Sequence, residues 1–185
     1  MKKTRRTGHL PKEQPEDVGA SEGTRAQNND NKTDYPALTP NKSDELKFKV
    51  FIADDSAEVR NRLKEVLKEN KSIYLMGESG DAEQAITALR DLKPDLVILD
   101  IHMPGGGGMR VLRDIKAKDP GRIVIIFTVF PYPQYRQAYL TAGADYFFDK
   151  TDDVQMIADV LAVLARQHIM NINNENQDQK GNKTP

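Results

Sequence analysis

From Lys47 onward the apolar residues fall into two alternating kinds of run. Short runs are apolar almost without interruption: Phe48 to Ala53, Ile73 to Met76, Leu96 to Leu99, Ile123 to Phe127 and Ala144 to Phe148. Between and after them the apolar residues recur every three or four positions. Val59, Leu63, Val66 and Leu67 form one such face; Ala82, Ala85, Ile86 and Leu89 form a second. Met109, Val111, Leu112 and Ile115 form a third, and Tyr135, Ala138, Tyr139 and Ala142 a fourth. Val154, Ile157, Ala158, Leu161, Leu164 and Ala165 form the last. The first pattern is that of strands buried on both faces, the second that of amphipathic helices. Strand and helix therefore alternate five times, which predicts an α/β domain with a five-stranded, doubly wound parallel sheet and five flanking helices.

The punctuation agrees. Asp81 with Gln84 three residues on is a capping box, Lys93-Pro94 stops the second helix, and Gly143 stops the fourth. Gly77 and Gly80 are expected to close the second strand at Met76. Residues 1–46 are rich in Lys, Glu, Asn, Thr, Gly and Pro, with Leu10, Val18, Tyr35 and Leu38 as their few large apolar residues. That composition predicts a disordered tail, and residues 169–185 predict a second, leaving one domain over 47–168. The basic cluster Lys2 to Arg6 begins like a signal peptide, but no apolar segment follows it.

Composition narrows the chemistry. The 185-residue chain has no Cys and no Trp and a net charge of -1. Disulfides, cysteine nucleophiles and thiolate metal sites are excluded, and charge alone suggests neither a nucleic-acid nor a membrane-surface binder. No apolar run reaches the roughly 18 to 20 residues that span a bilayer. A cytoplasmic protein is the expectation.

Four of the five strand ends carry polar residues at the carboxyl side: Asp54 and Asp55 after the first, Asp100 after the third, Thr128 after the fourth, and Lys150 after the fifth. Ligands of open parallel sheets bind at that edge, where the strand order reverses. These residues converge there if the order is 2-1-3-4-5. Singly, each has an ordinary explanation: helix-capping loop acids, a solubilising aspartate, a structural hydroxyl, a surface lysine. Together, three crowded carboxylates repel one another unless a hard cation sits among them, and an all-oxygen set with open water positions suits Mg²⁺. A lysine and a hydroxyl beside them grip an anionic oxygen. The combination describes a site that takes a phosphoryl group onto an aspartate.

With those residues in hand, the stretch from about Lys47 to Arg166 resembles the response regulator receiver domains of two-component systems, of flavodoxin-like fold. The matching features are Asp54-Asp55, Asp100-Ile101-His102-Met103-Pro104 with Gly108 after it, Thr128, and Lys150 at the end of Gly143 to Asp149. The resemblance implies that Asp100 is the phosphoacceptor, that Asp54, Asp55, Asp100 and the backbone carbonyl of His102 hold Mg²⁺, and that Lys150 pairs with the phosphoryl oxygens. It implies that Thr128 and Phe147 are the switch residues. It also implies a sensor histidine kinase or histidine phosphotransfer protein as donor. A downstream protein is expected on the fourth helix, fifth strand and fifth helix, roughly Tyr135 to Ala165, without direct DNA binding. No output module follows Ala165, so a stand-alone switch that turns over no separate substrate is expected.

Three departures from the family pattern stand out: Thr151 where Pro is frequent, β-branched Val129 after Thr128, and the variable pair His102 and Phe130. Val129 and Phe130 are expected to shield the aspartyl phosphate. Two other functions compete. One is an aspartate-dependent phosphohydrolase with His102 as general acid; the other is an interaction module that ignores phosphorylation.

Overall fold

The computed structural model describes residues 43–151 and 154–181. Its elements are β1 (Phe48–Ala53), α1 (Ala57–Lys68), β2 (Ile73–Ser79), α2 (Ala82–Leu92), β3 (Leu96–Leu99), α3 (Gly107–Lys118), β4 (Ile123–Thr128), α4 (Pro133–Thr141), β5 (Tyr146–Asp149) and α5 (Val154–Gly181). The strands form one parallel sheet in the order β2-β1-β3-β4-β5, as the convergence of the polar residues required.

Each face of the sheet is covered by its own helices. Ala85, Leu89, Val111, Leu112 and Tyr139 bring α2, α3 and α4 onto Phe51, Val97, Val124 and Ile126. Leu63, Leu67, Ile157, Leu161 and Ala165 bring α1 and α5 onto Val50, Ile52, Ile98 and Ile125. Successive strand residues point to opposite faces, so unbroken apolar strands supply both cores at once.

Four features differ from expectation. β2 runs through Gly77 to Ser79, because a bulge at Met76 shifts its register against β1 between Val50 and Phe51. A Cβ on Gly77 would sit 3.2 Å from the Phe51 ring, so this glycine serves close packing rather than a turn. In α4 the inner face rests on Tyr139, with Tyr135 and Ala142 half-buried, whereas Ala138 is exposed. Only a short stretch of α4 meets the sheet, and the helix opens on Pro133. Helix α5 continues to Gly181, well past the expected end at 168. The extension has a physical cause: Ile169 and Ile172 prolong the apolar side and line a groove with Leu46 and Lys71, and His168 meets Phe48 edge-on at 5.4 Å. The expected N-terminal tail lies outside the described residues up to position 42, but Asp44 and Lys47 pair at 2.8 Å and begin the domain.

Candidate functional site

The carboxyl edge of the sheet gathers the polar strand ends. Asp54 and Asp100 are 1% and 4% exposed, Asp55 is open to solvent, and ligand oxygens of all three lie within 4.8 Å of one another. Adjacency of β1 and β3 is what brings them together, and Asp100 N donates to Ala53 O at 2.8 Å to seal that junction. Lys150 enters from β5. Its Nζ stands 2.6 Å from Asp54 Oδ2 and 3.4 Å from Asp100 Oδ1, and its own N–H donates to Thr128 O at 2.7 Å. Thr128 is fully buried at the end of β4, with its Oγ1 accepting from Phe130 N at 3.3 Å.

The electrostatics are unbalanced. Asp54 Oδ1 accepts from Ser56 N at 3.0 Å, but Asp54 Oδ2 and Asp100 Oδ1 are buried without a directed hydrogen bond. Lys150 faces both as a charge, so one ammonium serves two buried carboxylates. Burial pushes the Asp54 carboxyl above its usual range; Lys150 and Ser56 oppose that shift and Asp100 adds to it. Two buried, underbonded oxygens beside a third carboxylate are the donor set of a hard divalent cation, and the arrangement fits Mg²⁺.

The loop after β3 is fastened rather than slack. Gly105, Gly106 and Gly107 take φ of 79°, 111° and 73°, which a side chain would strain. A Cβ on Gly108 would lie 2.1 Å from Asp100 O, so only glycine admits α3 this close to the aspartate's backbone. Ala82 N donates to Pro104 O, Arg110 Nη1 to Gly105 O and to Glu83 Oε2, and Asp81 caps α2 through Glu83 N and Gln84 N. The carbonyls of Ile101 and Met103 accept from Gly108 N and Gly107 N. His102 O, between them, accepts no hydrogen bond among the described residues.

The remaining predicted residues sit around this centre. The Phe147 ring is buried, with the Arg136 guanidinium 5.5 Å from its centroid and Arg136 Nη1 donating to Phe147 O at 2.9 Å. His102 is on the rim, its ring 4.3 Å from Phe130 and 6.0 Å from Tyr135. Val129 is exposed and Phe130 half-buried. Thr151 N donates to Asp149 Oδ1 at 2.9 Å.

Arg60 and Arg136 escaped the sequence reading. Arg60 Nη1 donates to Asp54 O at 2.6 Å and Asp55 O at 3.3 Å, while its Nε meets Glu78 at 3.4 Å, and it so braces the acidic loop from behind. A signal was available: a cation in the first turn of a helix opposes the macrodipole and needs acceptors of its own. Nothing in the periodicity marks Arg136.

A family model described as the response regulator receiver domain matches residues 50–162. "Protein CcdB" of Bacillus subtilis is 33% identical over 117 residues, 61% of this chain and 97% of that protein. "Response regulator GacA" of Pseudomonas aeruginosa is 29% identical over 119 residues, 62% of this chain and 56% of that protein. A protein-glutamate methylesterase/protein-glutamine glutaminase of Alkalilimnicola ehrlichii is 33% identical over 107 residues, with the match covering 57% of this chain and only 27% of that protein. The response regulator domain of Thermotoga maritima CheB superposes with a TM-score of 0.58 at 26% identity, covering 66% of this chain and 96% of that one.

Proposed function

The chain belongs to the response regulator receiver domain family, and from that premise we propose that Asp100 accepts a phosphoryl group from a phosphohistidine and that the modified domain signals by binding another protein. Receiver domains work with histidine kinases or phosphotransfer proteins, bind Mg²⁺ at an acidic pocket, and are not substrate-turning enzymes. The observation that carries the finer reading is the pair of buried, underbonded oxygens on Asp54 and Asp100 facing one lysine.

In this reading an Asp100 oxygen attacks phosphorus as the P–N bond to the donor imidazole breaks, and the imidazole nitrogen leaves with that electron pair. Asp54, Asp55, Asp100 and the otherwise idle carbonyl of His102 would hold Mg²⁺, which would supply positive charge against that developing on the phosphoryl oxygens. Lys150 follows those oxygens because its backbone is pinned to Thr128. Thr128 exchanges its contact with Phe130 N for one to the phosphoryl group, and Phe147 reports the change to α4 through Arg136. A partner then reads the α4-β5-α5 face. Because phosphohistidine is made from ATP, the reading carries a cytoplasmic location. Phosphohydrolase action would ask His102 to protonate a leaving group, but its ring is engaged with Phe130 and Tyr135. An interaction module indifferent to phosphorylation has no use for a cation-poor buried pair.

Incubation with Mg²⁺ and acetyl phosphate, read by intact mass, tests this. One phosphate adduct is expected on the wild type and none on Asp100→Asn. An adduct that persists in Asp100→Asn overturns the assignment.

A further inference from the structure

Of the three acids at the sheet edge, Asp55 has the least to hold it. Asp54 is pinned at both ends: its N–H donates to Ser79 O at 2.9 Å, and its carboxylate accepts from Ser56 N at 3.0 Å and faces Lys150 at 2.6 Å. Asp100 N donates to Ala53 O at 2.8 Å, and its carboxylate faces Lys150 at 3.4 Å. The Asp55 carboxylate is exposed and accepts no hydrogen bond among the described residues. Its hold comes through the backbone, from Arg60. Nη1 of Arg60 directs its two N–H groups to two successive carbonyls, Asp54 O at 2.6 Å and Asp55 O at 3.3 Å. Those carbonyls belong to the two peptide planes that meet at the Asp55 Cα. Planar peptides turn only about φ and ψ, so holding both planes fixes the direction in which the Asp55 side chain leaves the backbone.

The guanidinium is itself held from β2, the strand that ends on no acid or lysine of its own. Arg60 Nε donates to Glu78 Oε1 at 3.4 Å, and Lys64 Nζ stands 2.9 Å from Glu78 Oε2. The Arg60 side chain is only 17% exposed. Gly80 leaves room for it, since a Cβ there would lie 3.1 Å from Nη1. Taking Asp54 and Asp55 as cation ligands, the proposed reading on which this rests, we infer that Arg60 is a positioning residue of the metal site and that Glu78 joins β2 to that site by aiming Arg60. Charge alone predicts the reverse effect. Arg60 is a cation beside a cation site, so by Coulomb repulsion its removal would tighten Mg²⁺. Loss of the fork instead frees both planes at Asp55 and loosens Mg²⁺, as loss of an outer partner does at metal sites generally. The sign of the change separates the two.

Calorimetric titration of Mg²⁺ into the full chain, without phosphodonor, tests the inference. Arg60→Met is expected to weaken Mg²⁺ about tenfold. Arg60→Lys keeps the charge and the apolar stem but not the planar fork, and is expected to weaken it in the same direction should Arg60→Met fail to fold. Glu78→Leu is expected to weaken it less, and to add nothing in the Arg60→Met chain. A carboxylate acting on the cation through space would keep its effect there. Mg²⁺ bound as well or better by the Arg60 variants, or a Glu78→Leu loss that persists without Arg60, overturns the inference and leaves the phosphoacceptor reading standing. A wild type that takes up no Mg²⁺ overturns both.

Discussion

The two ends of the sheet both carry aspartates and treat them oppositely. At the amino end, Asp95 Oδ2 accepts from Lys49 N at 2.7 Å, and Asp145 Oδ2 accepts from Val124 N at 2.8 Å and pairs with Lys116 at 3.0 Å. These carboxylates extend the strand ladder past its last residues, and they stand half in solvent. At the carboxyl end Asp54 and Asp100 are buried deeper, and one buried oxygen of each has no directed hydrogen bond. Burial ought to select for satisfied groups, since an unpaired buried oxygen costs on the order of 1–3 kcal/mol. An aspartate that bonds a strand N–H and leaves its other oxygen to water belongs to the scaffold. One kept dry with an oxygen short of bonds is the kind that a cation from outside the chain would satisfy.

The contrast is tested hardest at Lys150. Lys150→Met removes the cation facing both buried carboxylates, and in chelated buffer it is expected to lower unfolding stability by about 3 kcal/mol, the scale of a broken buried ion pair. Millimolar Mg²⁺ is expected to return part of that loss in urea titrations. No recovery would mean that the underbonded oxygens are not a cation site. Glycines separate the two ends next. Gly108→Ala places a Cβ against the Asp100 carbonyl at 2.1 Å, where backbone cannot yield, and is expected to cost about 2–3 kcal/mol with loss of the phosphate adduct. Gly121, near the amino end, would meet nothing closer than Asp119 at 3.6 Å, so Gly121→Ala is expected to stay within about 0.5 kcal/mol of wild type by thermal unfolding.

Why the carboxyl end was legible in the sequence, and other parts were not, follows from the same physics. A parallel sheet forces continuous apolar strands, so the polar residue ending each run stands out, and Asp54, Asp100, Thr128 and Lys150 were found that way. The strand order is legible too, because 2-1-3-4-5 is the order that brings them together. The bulge at Met76 was not legible, because Gly77 signals a turn and close packing equally well. Nor was the run of α5 to Gly181, since Ile169 and Ile172 are sparse among polar residues and gain their meaning from Leu46 and Lys71, distant in sequence. The glycines after Asp100 gave a bend but not its fastening, which depends on Arg110 and the start of α2. Arg60 and Arg136 act through backbone carbonyls, and a carbonyl has no letter in the sequence.

A smaller effect is expected at the scaffold aspartates. Asp95→Ala leaves Lys49 N without its acceptor and is expected to cost about 1 kcal/mol. The decisive part is the control: the shift in stability on adding Mg²⁺ should equal that of the wild type. A changed Mg²⁺ response would mean that the ends are coupled and that the division between scaffold and site is drawn too sharply.

The finest test is pH, because it turns on a single proton. In the folded chain burial raises the Asp54 carboxyl above its ordinary value of 3.8, so between the two values the folded state binds more protons than the unfolded one. Stability from this group therefore falls as pH rises through that window, and the full penalty is present above the raised value. Asp114 gives the opposite sign: burial raises its carboxyl, but Lys118 and Arg90 outweigh burial and hold it below 3.8, so its stabilisation is lost as pH falls through a window beneath that value. In Mg²⁺-free buffer, chemical unfolding above pH 3.8 is expected to show a component that strengthens on acidification in the wild type and is absent in Asp54→Asn. Mg²⁺ needs the ionised carboxylate, so its stabilising effect is expected to shrink over the same interval. If the Asp54→Asn curve runs parallel to the wild type, Asp54 is no more strained than Asp95 and the contrast between the two ends of the sheet rests on Asp100 alone.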